Sequence, residues 1–134
     1  MTRRGVLSAG LWLLGLLHLG WGIWALVTPY GFFTTFPGLG QRWTAGYPPY
    51  NAHLVSDLGA TFTTLGVLLV TAAVLRDRRV SIVVLTGVIA FSGLHLLFHA
   101  VHHGLLTGGS LGASIAALAL GVLVPAVLLW GVHK

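Results

Sequence analysis

Nearly all the acid–base and metal-ligating capacity of this chain rests on seven histidines and two aspartates, Asp57 and Asp77. Without cysteine there are no disulfides, no thiolate metal sites, no iron–sulfur cluster and no thiol nucleophile. Without glutamate, two carboxylates are too few for an EF-hand, a carboxylate-bridged di-iron centre or a two-carboxylate hydrolase. Neutral imidazoles with one carboxylate suit zinc, iron or copper, whereas magnesium and calcium want more oxygen. Two His and one carboxylate hold iron in non-haem oxygenases and zinc in thermolysin-like sites, so redox and hydrolytic chemistry both stay open.

Spacing narrows the candidates. At 100° per residue, His95, His99 and His102 fall within about 60° of one another on a single helical stripe. His53 and Asp57 lie one turn apart on another helix, with Thr64 continuing that face. A tight turn between the two helices makes them neighbours. Facing stripes would bring His53, Asp57, His95 and His99 within reach of one transition metal, with His102 as a further ligand or a proton donor. The chain would then be a membrane metalloenzyme acting on a lipid, a quinone or another apolar molecule.

Three alternatives use the same residues. Haem b could sit between His53 and His99, making the chain an electron carrier. A proton relay needs the imidazoles but no metal. An accessory subunit of a larger complex needs them only as hydrogen-bond partners, each worth about 0.6 kcal/mol between membrane helices. His18, beside Trp21, Gly22 and Ala25, reads as structural, and His133 as an end anchor. A Ser–His–Asp arrangement through Ser56 or Ser92 lacks the Gly-x-Ser-x-Gly elbow.

The elements that must position these side chains follow from composition. The chain has 134 residues, of which 56% are hydrophobic and 7% charged, against roughly a quarter charged in soluble domains. Its mean hydropathy is +0.92. Four runs free of Lys and Arg, at about 6–27, 51–75, 80–103 and 111–132, reach the ~20 residues that a bilayer requires. The predicted fold is all-α, one four-helix transmembrane bundle over 1–134, up-down-up-down, in the cell membrane. An ionisable group inside such a bundle marks a functional site by default.

The net charge of +5 does not point to nucleic acid, because the basic residues flank the runs. Arg3, Arg4, Arg76, Arg78, Arg79 and Lys134 gather on one side and only Arg42 on the other, which predicts both termini cytoplasmic. The first run is too long for a secretory signal, and no small-x-small site follows it. The outward segment 28–50 holds four prolines, which argue against a regular helix, and half of the aromatic residues, which predict an interfacial belt. A re-entrant cover over a cavity is the sharper alternative. On the fourth run, Ala113, Ala117 and Gly121 at four-residue spacing, with Gly112 and Ala116, predict a face packed inside the bundle. Pro125 predicts a kink in that helix.

Two resemblances attach to the histidines. His99-Ala-Val-His102-His103 resembles the His-x-x-His-His box of membrane fatty-acid desaturases and hydroxylases, whose imidazoles hold a di-iron site. The stretch from Pro49 to Gly59, with Asn51, His53 and Asp57, and the stretch from His95 to His102 together resemble small four-helix bacterial integral membrane proteins of unknown function. That second resemblance spans most of the chain. It implies the four-helix fold and a pairing of the two patterns, and it names no activity.

Overall fold

The computed structural model describes residues 3–133, leaving Lys134 and the side chains of Arg3 and His133 outside the description. The fold is all-α. Four long helices, α1 (Arg3–Val27), α3 (Ala52–Leu75), α4 (Arg78–Val101) and α5 (Gly108–His133), are each long and apolar enough to cross a membrane. A short helix α2 (Pro29–Thr35) lies in the connection between α1 and α3.

Local chemistry sets the helix ends. Asn51 caps α3 by accepting from the Leu54 amide at 3.2 Å, and Asp77 caps α4 by accepting from the Val80 amide at 2.9 Å. The Asp77 cap starts α4 two residues earlier than the apolar run suggests. Its other end comes two residues sooner, at Val101, and His102 is already extended at φ −117° and ψ 102°. His102 and His103 therefore leave the helix, and the predicted three-histidine stripe shortens to His95 and His99.

The segment 28–50 is more ordered than its prolines suggest. Pro29 sits in the first turn of α2, where its missing N–H costs nothing and its fixed φ favours the helix. Two short antiparallel strands follow, β1 (Pro37–Gly38) and β2 (Gln41–Arg42), joined through Leu39 and Gly40 at φ 55° and 78°. Positive φ at both central residues matches the twist of a tight hairpin. The Thr44 hydroxyl ties this hairpin to α2 by donating to the Phe33 carbonyl at 2.7 Å.

Of the rings of this segment Phe32 is buried and Tyr30 is exposed, the others lying between. Phe32 stacks on Phe36 at 4.5 Å and meets Trp24 edge-on at 5.3 Å, while Trp21 reaches Phe36 at 5.8 Å. Together with Ala25, Val55 and Phe62 they form an aromatic core at one end of the bundle. An aliphatic core of Leu11, Leu14, Leu69, Ala72, Leu85 and Val88 fills the other end.

The helices pair unequally. α1 and α3 run antiparallel along glycines seven residues apart on each, Gly15 and Gly22 facing Gly66 and Gly59. A Cβ on Gly66 would stand 2.8 Å from the Leu19 amide nitrogen, and one on Gly59 would stand 3.0 Å from the Gly22 carbonyl. Backbones this close leave no room for side chains, the usual basis of tight association between membrane helices. The predicted small-residue interface lies elsewhere: on α5, Gly112, Ala113, Ala116 and Ala117 are exposed. A Cβ on Gly121 of that stripe would meet only Ser92, at 3.9 Å. The bulky Leu128 side chain, which lies against Gly10, serves instead as a contact from α5 to α1.

Candidate functional site

The last turns of α4 and the segment 28–50 meet at the aromatic end. On α4, Phe91, His95 and His99 follow one another at four-residue spacing and stack in series. Phe91 lies parallel to His95 at 5.6 Å, and His95 meets His99 edge-on at 4.6 Å. Phe62 of α3 closes on Phe91 at 5.9 Å, so the array grows out of the aromatic core.

Tyr47 completes it. Its hydroxyl lies 2.8 Å from the His102 carbonyl and 2.7 Å from His99 Nδ1. A carbonyl only accepts, so the single phenolic hydrogen goes to His102. His99 Nδ1 must then carry a hydrogen and donate it to the Tyr47 oxygen. That assignment leaves Nε2 of a neutral His99 as an accepting nitrogen. Burial pushes the Tyr47 phenol above its ordinary value of 10.0, which keeps it protonated as a donor.

The backbone holds Tyr47 in place. The Gly46 carbonyl accepts from the Leu105 amide at 2.8 Å, and the Tyr47 ring lies against Gly104. Gly104 has φ 57°, and a Cβ there would stand 3.0 Å from the tyrosine ring, so glycine is required on both counts. Ser110 at the start of α5 donates to Gln41 at 2.9 Å. The connection between α1 and α3 thus clasps the turn between α4 and α5.

His95 differs from its neighbours. It is half-buried, and among the described residues neither ring nitrogen has a hydrogen-bond partner. No side-chain nitrogen or oxygen is both fully enclosed and unpaired among the described residues, so the His95 nitrogens keep accessible surface.

The other predicted ligands stand apart. His53 Nε2 is 3.5 Å from Asp57 Oδ2, yet the two side chains are 81% and 61% exposed. The reason is helical phase. Both residues stand two positions, about 200°, from Val55, which α3 buries in the aromatic core. The inward face of α3 belongs to Val55, Gly59 and Phe62, and the His–Asp pair points away from it. His102 stacks on Phe98 at 4.7 Å and donates from Nδ1 to the Phe98 carbonyl at 3.2 Å. His103 donates to the Ala100 carbonyl at 2.9 Å.

Among the described residues, no three His or Asp side chains gather as ligands for one ion. His53, Asp57, His95, His99 and His102 therefore do not form the single metal site that their spacing predicts. For a bis-histidine haem, His99 keeps an accepting Nε2 with its Nδ1 held by Tyr47, while His53 is 81% exposed beside Asp57 on the side of α3 turned away from the aromatic core. His18 is buried, donates from Nδ1 to the Leu14 carbonyl at 2.8 Å and packs edge-on against Phe62 at 5.7 Å, a structural role as its neighbours suggest.

Tyr47 is the member of the array that spacing arguments overlook. Its partner lies 52 positions away along the chain, and the only local signal is a tyrosine set between Gly46 and the Pro48–Pro49 pair. No protein-family model, curated protein or solved structure matches the chain.

Proposed function

We propose that the chain is a multi-pass integral protein of the cell membrane in which His95 and His99, the latter held by Tyr47, bind the polar head of an apolar molecule of the quinone class. The observation that carries this reading is His95, half-buried between the rings of Phe91 and His99 with no hydrogen-bond partner for either nitrogen among the described residues. A polar group left unpaired in hydrocarbon costs several kcal/mol, which a guest with a hydroxyl or carbonyl relieves. His95 offers one donor and one acceptor, and the fixed tautomer of His99 adds an accepting Nε2 beside it. Such nitrogens take a proton from a hydroxyl and return it, so the pair serves as a proton exchanger for its guest.

The Phe91 and Phe98 rings beside the imidazoles supply flat apolar surface for a ring-shaped head.

The test uses the purified chain in detergent and a decyl-substituted benzoquinone as probe. Quenching of tryptophan fluorescence reports binding, because Trp21 lies in the same aromatic core. The wild type is expected to show saturable quenching, and His95→Leu to bind at least tenfold more weakly at unchanged helical content. Equal quenching in the two proteins overturns the proposal. So does a transition metal that stays with the chain through purification and is lost in His99→Ala, since the imidazole pair would then be an ion site.

A further inference from the structure

At the end of the bundle opposite the histidines, about 25 Å along α4 from His95, the first turns of α1 and α4 and the last turns of α3 and α5 surround an open cavity of about 1020 Å³. Arg4, Arg76 and Arg78 line it. Among the described residues none of the three has a carboxylate within ion-pair distance. Asp77, the one acid in the lining, directs its carboxylate to the Val80 amide at 2.9 Å and is committed to capping α4. Arg78 donates from Nε to the Val132 carbonyl at 3.1 Å, which places its guanidinium over the cavity and leaves its other donors unused among the described residues. Deeper in, the walls carry Leu7, Leu11, Ala72 and Ala73, beside Ser8 and a Ser81 whose hydroxyl is spent on the Asp77 carbonyl at 2.8 Å, with Trp12 half open at the edge.

We propose that this cavity holds the phosphate headgroup of an anionic phospholipid, with Arg4, Arg76 and Arg78 as counter-charges and the Leu7–Leu11–Ala72 wall against the chain below it. Three guanidiniums with no carboxylate partner among the described residues call for an anion from outside, and their planar forks suit phosphate oxygens. The apolar wall beneath them decides between two phosphate sources. A soluble phosphate gains nothing from leucine, whereas a lipid brings phosphate and methylenes together in that order. Basic pockets between membrane helices are the usual setting for such headgroups. Trp12 at the edge fits the same interface, where an amphipathic ring is favoured.

Arg76 offers a way to test the site without breaking the fold. It ends α3 at φ 54° and ψ 23°, a left-handed conformation that glycine adopts more readily. Arg76→Gly therefore removes a counter-charge while easing the backbone, so any loss of binding is not a loss of folding. The measurement is native mass spectrometry of the full chain in neutral detergent with phosphatidylglycerol or phosphatidylcholine, and with inorganic phosphate as competitor. The wild type is expected to retain phosphatidylglycerol at least tenfold better than phosphatidylcholine. Arg76→Gly combined with Arg4→Gln is expected to lose that preference while melting no lower than the wild type. Equal retention of the two lipids, or an unchanged preference in the double variant, overturns the proposal. Displacement of the bound lipid by equimolar inorganic phosphate overturns it as well, because the site would then recognise free phosphate.

Discussion

The two ends of this bundle handle their polar groups in opposite ways. At the aromatic end, Tyr47, His99 and the His102 carbonyl satisfy one another, rings fill the space between helices, and glycines at 46 and 104 let the clasp close. At the arginine end, three guanidiniums face an open cavity and lack carboxylate partners among the described residues. The aromatic end supplies partners to Tyr47 and His99 from its own contacts and leaves only His95 open, whereas the arginine end leaves three guanidiniums without a carboxylate among the described residues. Residues of similar polarity thus take different roles according to whether the fold provides their partners.

The largest expected effect tests the packed end directly. Phe32 is fully enclosed, and Phe32→Ala should cost about 3 kcal/mol through the space it leaves among the rings. Trp12→Ala, at the open end, removes a ring that is 39% exposed and should cost well under half as much. Denaturant titration of both variants in the same detergent makes the comparison, and equal losses would erase the distinction between the ends.

A smaller loss is expected from Tyr47→Phe, which deletes both hydrogen bonds of the phenol and should cost about 1–2 kcal/mol. Its sharper readout is pH. Because burial raises the Tyr47 phenol above 10.0, the contribution of the clasp is present below that pH and fades as pH climbs through the raised value. The wild type should lose stability over that alkaline range, and Tyr47→Phe should lose less of it. Parallel alkaline curves for the two proteins would remove the phenol from the clasp.

The smallest shift has the opposite sign. Arg76→Gly relieves a left-handed residue and should stabilise the chain by about 1 kcal/mol, measured by thermal unfolding. A destabilised variant would mean that Arg76 has protein partners, contrary to the contrast between the two ends.

Much of the fold is legible in the sequence because the bilayer imposes a length and the charges interrupt it. The four apolar runs, the Arg76–Arg79 turn and the glycine-rich turn all stand close to where their composition puts them. What is not legible depends on helical phase and on long-range partners. His53 and Asp57 do share a helical face, but their sequence gives no sign that Val55 and Gly59 commit the opposite face to α1 and the aromatic core. The seven-residue spacing of Gly15 with Gly22 and of Gly59 with Gly66 was available to inspection, yet the denser small residues of α5 are the more conspicuous pattern. The arginines illustrate the same point: their positions suggest topology, and only the packing of four helix ends reveals that three of them line one cavity.

A seam built from glycines has a consequence for how the chain is made. Glycine has no side-chain rotamers to surrender, so joining α1 to α3 costs little conformational freedom beyond the backbone already fixed in the helices. The first two long helices can therefore lock together while the rest is still being synthesised, and the α4–α5 hairpin then docks onto a surface that is already complete.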